Sequence, residues 1–349
     1  MGRRKQRSIK SGMPPGSLVH VGERKLDRAA VSIIEYGPDE LREHATLDAL
    51  DHASLPLRWI NVHGLHEAEL LAGIGRRFNL HPLVLEDILN TDQRPKVDDY
   101  GSYLYIVARF FHYDPGTMSS SSEQVSLVVG DGFVLTFQER PTGSFDPVRE
   151  RLRQDRGRIR QLGIDYLAHA LLDIMVDRYF AVLEQIGERT EQVEDQLMQA
   201  ATPDVLQTLH QLKRETLALR RAVWPLREVI NTVTRDTRFF RPETLPYLRD
   251  VYDHTVHVIE SLEAIRDVLA GMLDIYLSSI SNRVNQEVRV LTVIALIFMP
   301  ATLISGVFGM NFRSMPLLDA PYGFLLALGM MAAIATTFAV VFWRRRWLR

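Results

Sequence analysis

Two stretches near the end of the chain, Val290 to Phe312 and Gly323 to Trp343, run for 23 and 21 residues without a charge. At 1.5 Å rise per residue each reaches roughly 32–35 Å as a helix, against about 30 Å for the hydrocarbon core of a bilayer. Core helices of soluble domains rarely run so far uncharged, so the pattern predicts two membrane spans. Only 6 of the 60 residues from Val290 onward are charged, against 78 of the first 289, so a water-soluble region is joined to one that avoids water. Arg283 and Arg289 precede the first span and Arg344-Arg345-Arg346 and Arg349 follow the second, while the connector holds only Arg313 and Asp319. Lys and Arg collect on the cytoplasmic side. Both termini are therefore expected in the cytoplasm of a multi-pass protein of the cell (inner) membrane, with the connector outside and Trp343 and Trp347 at the interface.

The whole-chain balance of 41 Lys+Arg against 43 Asp+Glu gives a net charge of −2, which argues against a nucleic-acid partner. Zero cysteines exclude a disulfide framework, a thiolate zinc site and a Cys nucleophile. The basic start (Arg3, Arg4, Lys5, Arg7, Lys10) has no apolar segment behind it, so it is not a signal peptide, and residues 1–29 are expected to be a disordered basic tail.

Residues 30–143 read as a cytoplasmic α/β domain. Short β-rich runs occur at Val31–Tyr36, Trp59–Val62, Tyr103–Phe111 and Val125–Gln138, the last broken by the hairpin signal Gly130-Asp131-Gly132. Glu67–Phe78 and Pro82–Leu89 have helical spacing, and Asp114 through Ser119–Ser122 reads as a loop. Gly73-Ile74-Gly75 lacks the third glycine and the preceding strand of a dinucleotide fingerprint, and His63 with His66 lacks a metalloprotease carboxylate. No Walker loop or nucleophile elbow occurs, and no enzyme is expected.

Residues 144–244 turn helical: Asp165–Gln199 is nearly free of Gly and Pro, and Thr202-Pro203 opens a second helix running towards Trp224-Pro225. Between Pro246 and Pro300 lie 53 residues with one glycine, Gly271, so 245–308 is expected as one stalk helix continuing into the first span. Stepping by seven from Asp253 gives Glu260, Asp267, Asp274, Ser281, Val288, Ala295, Thr302 and Gly309; a companion column holds Asn285, Thr292, Met299 and Gly306. Large aliphatics fall elsewhere on the span, at Val290, Ile294, Ile297, Leu303 and Ile304. In lipid, small and polar side chains face protein or water. Either this stripe serves ordinary helix packing above a solvated acidic stalk, or it lines a wet path. Two spans cannot enclose water, so a path needs several copies around an axis.

Gly309-Met310-Asn311, set between two terminal spans and followed by Met315-Pro316, resembles the signature of the CorA family of magnesium and cobalt transporters. His81-Pro82-Leu83-Val84-Leu85-Glu86-Asp87-Ile88-Leu89, Gln93-Arg94-Pro95-Lys96, Glu123-Gln124-Val125-Ser126-Leu127, Trp224-Pro225-Leu226-Arg227 and Arg249-Asp250-Val251-Tyr252-Asp253-His254 are similar to the family too. The resemblance runs from about residue 30 to the C-terminus. It implies an α+β membrane protein forming a funnel-shaped homopentamer in the lipid bilayer, and potential-driven Mg2+ influx with Co2+ and in some members Ni2+ also carried. By position, Gly309, Met310 and Asn311 correspond to the selectivity filter in an outer loop, 309–322, followed by the second span, 323–343, and a basic cytoplasmic tail, 344–349. Asn285, Val288, Leu291, Met299 and Thr302 correspond to pore-lining residues, joined from the spacing by Thr292, Ala295 and Gly306, with Asp274 near the cytoplasmic mouth. Asp87 and Asp250 correspond to carboxylates that bind regulatory Mg2+ between subunits and close the channel, with Glu86 and Asp253 as further candidate ligands. Two departures stand out: Val288 replaces a frequent methionine, and Leu317 stands where a glutamate is common, with Asp319 nearby. A zinc or cobalt carrier of the same superfamily is the alternative within transport; a membrane-tethered sensor or adaptor is the alternative outside it.

Overall fold

The computed structural model describes residues 12–114, 116–117, 119–310, 317 and 321–345. Seven strands, β1 (Ala30–Tyr36), β2 (Leu41–His44), β3 (Leu57–His63), β4 (Lys96–Asp99), β5 (Tyr103–Asp114), β6 (Ser119–Gly130) and β7 (Phe133–Gln138), form one sheet in the order β2-β1-β3-β7-β6-β5-β4. The β3–β7 pair is parallel and every other pair antiparallel. The turn joining β6 to β7 falls at Asp131-Gly132, as the glycines predict. Ser119–Ser122, expected as loop, instead extend β6 opposite Phe111–Asp114 of β5. Polar composition misleads there because backbone pairing with β5, and not burial, holds these serines in the strand.

Alternate residues of a strand enter two different cores. Ile60 and Val62 of β3 join Leu71 and Ile74 of α1 (Ala68–Arg77) and Val84, Leu85 and Ile88 of α2 (Pro82–Leu89) in one apolar cluster. Trp59 turns the other way, meeting Phe145 edge-on at 5.9 Å just before α3 (Asp146–Arg153) and donating from Nε1 to Thr136 Oγ1 at 2.9 Å. Gly75 marks the crossing of the first two helices: a Cβ there would lie 2.5 Å from Leu85 Cδ1, so the glycine serves packing and not nucleotide binding.

Residues 12–29, expected within a disordered tail, are instead pinned to this domain. Gly16 N–H donates to Glu86 (2.6 Å), Val21 exchanges backbone bonds with Leu89 and Thr91, and Lys25 pairs with Glu139 at 2.7 Å. Low hydrophobicity concealed them because they are held by hydrogen bonds and ion pairs to partners about 70 or more residues away along the chain.

The chain divides into two compact units, one of residues up to 195 together with 207–270, the other of 196–206 together with 271 onward. In the first unit α4 (Ile164–Gln199) and α5 (Pro203–Arg235) accompany the initial part of α6 (Leu245–Phe308). Asp165 ties the start of α4 to the start of α6, accepting from Thr244 Oγ1 (2.6 Å) and from Arg241 N (3.1 Å) and Nη2 (3.0 Å). Burial alone would push its carboxyl up; the bonds from Thr244 and Arg241 outweigh it and hold the carboxyl below the usual carboxylate range. Arg189 of α4 and Glu215 of α5 form a buried ion pair at 3.2 Å. The second helix does not stop at Trp224-Pro225 but runs through Pro225 to Arg235. Leu226, Val229, Ile230 and Val233 beyond the proline are all buried, enough apolar surface to offset the roughly 3 kcal/mol an interior proline costs. The second unit holds the rest of α6 and α7 (Gly323–Arg344).

Candidate functional site

The expected stripe lies on α6, and the burial of that helix shows which face it occupies. Within the first span Val293 is buried and Leu296, Ile297, Pro300, Ala301, Ile304 and Phe308 are partly covered. On α7 the buried or partly covered positions are Gly323, Ala327, Met331, Ile334, Ala335, Phe338, Ala339 and Phe342. At about 100° per residue, Ala295 and Thr302 point roughly 180–200° away from Val293. Val288, Leu291, Gly306 and Gly309 fall within about 40° of those two and Met299 within about 60°, and all are exposed. The stripe therefore occupies the side of α6 opposite Val293 and the other covered residues. Asn285, Thr292 and Asp274 lie at its edge and are exposed as well. Across the most apolar 18-residue stretch of each span only 6 % is buried in the single chain, so lipid or further copies must cover the remainder.

Thr292 and Thr302 donate their hydroxyl protons to the carbonyls of Val288 (2.7 Å) and Phe298 (2.9 Å). Each hydroxyl oxygen keeps its lone pairs as an acceptor on the stripe. Met299, Thr302, Gly306 and Met310 share one shallow concavity. The helix closes with Gly309 N–H on the Ser305 carbonyl at 2.9 Å, and a Cβ on Gly309 would approach that carbonyl to 3.1 Å. Asn311, the expected filter amide, lies outside the described residues, as do Arg313 and Asp319. Leu317 is described and takes φ +72°, an unusual conformation for a branched side chain.

Asp253, Glu260, Asp267 and Asp274 are all exposed, as their seven-residue spacing predicts. Asp267 is not a bare charge: Arg266 Nη2 lies 3.0 Å away. The expected regulatory carboxylates meet different partners. Asp87, on α2, accepts from Gln93 Nε2 (2.6 Å) and Lys96 Nζ (2.7 Å), and Lys96 also reaches Asp98. Asp250, on α6, is exposed and stands 3.9 Å from His254 Nε2. Glu86 accepts the Gly16 N–H described above, and Asp253 is exposed.

Sequence reading missed one group. Asp173 and Asp177 of α4 and His254 of α6 bring ligand atoms within 4.8 Å of one another. Burial, then the Asp177 carboxylate, push the Asp173 carboxyl up to about 6; Arg151 and His254 pull against them. The four-residue spacing of the two aspartates was visible, but their apposition to His254 exists only once α4 packs on α6. Two carboxylates and an imidazole suit a divalent ion, the imidazole favouring Co2+ or Ni2+ over Mg2+, which prefers oxygen. Both Asp87 oxygens already accept hydrogen bonds, so an ion there shares the carboxylate with Lys96 or displaces it.

The fold and the stripe define a membrane protein in which a long helix continues from an α/β domain into the first of two spans. Residues 56–346 match the family described as "CorA-like Mg2+ transporter protein". The chain is 43% identical over 351 residues to the "Cobalt/magnesium transport protein CorA" of Thermotoga maritima, covering 99% of each. It is 28% identical over 310 residues to the "Divalent cation transporter CmaX" of Pseudomonas aeruginosa, covering 87% of this chain and 90% of that one. Among solved structures, "The complete structure of CorA magnesium transporter from Methanocaldococcus jannaschii" matches with a TM-score of 0.78 at 21% identity, over 90% of this chain and 97% of that one. The chain belongs to the CorA family.

Proposed function

We propose that this chain is a divalent-cation channel, assembled as a homopentamer, that carries Mg2+ inward down the membrane potential and accepts Co2+ and Ni2+. The observation that carries the reading is the orientation of the stripe: it lies on the side of α6 opposite Val293 and the other covered positions, so Val288, Leu291, Ala295, Met299, Thr302 and Gly306 are exposed and free to face an axis. Five copies set that way surround a path whose lining alternates apolar rings (Val288, Leu291, Met299) with hydroxyl and small residues. Apolar rings gate by dewetting, and hydroxyl and amide oxygens hold an ion through its water shell. Mg2+ sheds that shell reluctantly, which suits a ring of Asn311 amides at Gly309-Met310-Asn311. Moving one charge through 100 mV is worth about 2.3 kcal/mol and a divalent ion about twice that, so no nucleotide hydrolysis is required. The termini belong in the cytoplasm of the inner membrane, Asp274 near the inner mouth. Asp87 and Asp250, with Glu86 and Asp253 near them, bind cytoplasmic Mg2+ between subunits and hold the channel shut.

Proteoliposomes loaded with a Mg2+-sensitive dye test the reading. The wild type passes Mg2+ and Co2+, and Asn311→Ala abolishes Mg2+ entry while leaving the assembled complex intact; normal entry through Asn311→Ala refutes the filter. Selective Zn2+ passage favours the superfamily alternative, and no flux of any ion favours an adaptor. Asp87→Asn with Asp250→Asn removes Mg2+-dependent protection from protease; unchanged protection takes those residues out of regulation.

A further inference from the structure

A cavity of about 760 Å3 opens in the first unit between the 92–96 segment, the β5–β6 hairpin and α5. Its wall carries Arg94, Lys96, Arg109 and Arg221 against the single acid Asp92. The cations differ in what already occupies them. Lys96 is committed to Asp87 and Asp98. Arg109 donates to the Thr91 and Gln93 carbonyls and to Ser122 Oγ, which fixes one side of the wall. Arg94 and Arg221 are exposed and make no hydrogen bond or ion pair among the described residues. Two uncommitted guanidinium groups, brought from positions 127 residues apart to one concavity, present planar donor forks of the geometry that phosphate oxygens accept. Pro95, Phe111, Ala218 and Ala222 complete the wall with apolar surface. A charged half beside an apolar half, in a volume within the 300–1,000 Å3 usual for small-molecule sites, fits a ligand with a phosphate end and a flat organic end.

We propose that this cavity binds a nucleotide polyphosphate, with Arg94 and Arg221 on the phosphates and the Pro95, Ala218 and Ala222 surface against the base. The site does not depend on the transport reading, since its ligand enters no ion path. Because Lys96 belongs both to this wall and to the Asp87 ion pair, a bound polyphosphate competes with Asp87 for the same ammonium group.

The test uses the full-length protein in detergent, with EDTA present so that ATP is free of Mg2+, and isothermal titration with ATP, pyrophosphate, inorganic phosphate and adenosine. ATP is expected to bind more tightly than pyrophosphate or phosphate, and adenosine not measurably. Arg94→Gln and Arg221→Gln should each weaken ATP about tenfold or more, as loss of a charge-assisted bond requires, while Arg76→Gln on α1, outside the cavity, should leave it unchanged. Affinity that is equal in all three variants, or an absence of ATP binding to the wild type, overturns the proposal. So does dissociation of the oligomer in Arg94→Gln or Arg221→Gln without ATP binding in the wild type, which would make the cavity a subunit interface.

Discussion

His169 sits 5 % exposed on α4 between the rings of Tyr166 (5.2 Å) and Tyr247 (5.5 Å), with no hydrogen-bond partner for Nδ1 among the described residues. Burial pushes its pKa down from 6.5 to about 4 and Arg151 pushes the same way; Asp250, Asp165 and a backbone bond near Tyr166 oppose them. The folded state thus keeps His169 neutral where the unfolded chain takes up a proton. Between pH 6.5 and 4 the unfolded state binds more protons, so stability is full above about 6.5 and is lost as pH falls towards 4. From those two values, acidification from pH 7.5 to 5 costs about 2 kcal/mol through this residue. Asp173, one turn away, works with the opposite sign: its raised value near 6 means that protonation favours the folded state over the same interval. The total acid response is therefore a difference, and His169 has to be isolated by substitution. His169→Phe keeps an aromatic ring between the two tyrosines, and His169→Gln keeps a polar group that does not titrate. Thermal unfolding in EDTA, followed at pH 7.5 and 5, should show the wild type losing a few °C more than either variant. If both variants lose as much as the wild type, His169 is not held neutral and the burial account is wrong.

Three further outcomes follow from the packing and the stripe. Asp165→Asn should destabilise the protein by about 2–3 kcal/mol in denaturant unfolding, because Arg241 and Thr244 lose a charged acceptor; half-exposure of Arg241 keeps the figure below that of a fully buried pair. Arg189→Met should cost about 3–5 kcal/mol, while Arg189→Met combined with Glu215→Leu should restore most of it, since the pair is buried on both sides and an orphaned charge is worse than none. Ala295→Phe, on the stripe, should cut Mg2+ entry into liposomes at least about tenfold, whereas Ile304→Val, on the covered side of α6, should change it less than about twofold; equal effects would place the path elsewhere. The absence of cysteine also makes topology directly readable: in intact cells an impermeant maleimide should label Ser314→Cys and not Ser119→Cys.

What was legible in the sequence was whatever local periodicity or charge alone dictates. Two uncharged runs long enough to cross a bilayer, a helix without breakers from Pro246 to Pro300, and a seven-residue repeat of acids and small residues are one-dimensional patterns, and the structure keeps all of them. The five longer strands also announce themselves, because β-branched and aromatic runs bury both faces. Short edge strands such as β2 and β4, with four residues each, carry no such signal and exist by pairing with neighbours. The passage of α5 through Pro225 and the pinning of residues 12–29 were equally hidden, since both are settled by partners far along the chain. For the site, spacing identified the stripe, but only packing established which side of α6 is covered and that the stripe is left bare. The same holds for Asp173, Asp177 and His254, for the Lys96 clasp on Asp87, and for the meeting of Arg94 with Arg221. Sequence determines which side chains share a helix face; which faces find each other depends on burial and charge pairing summed over the whole fold, and only the tertiary structure decides that.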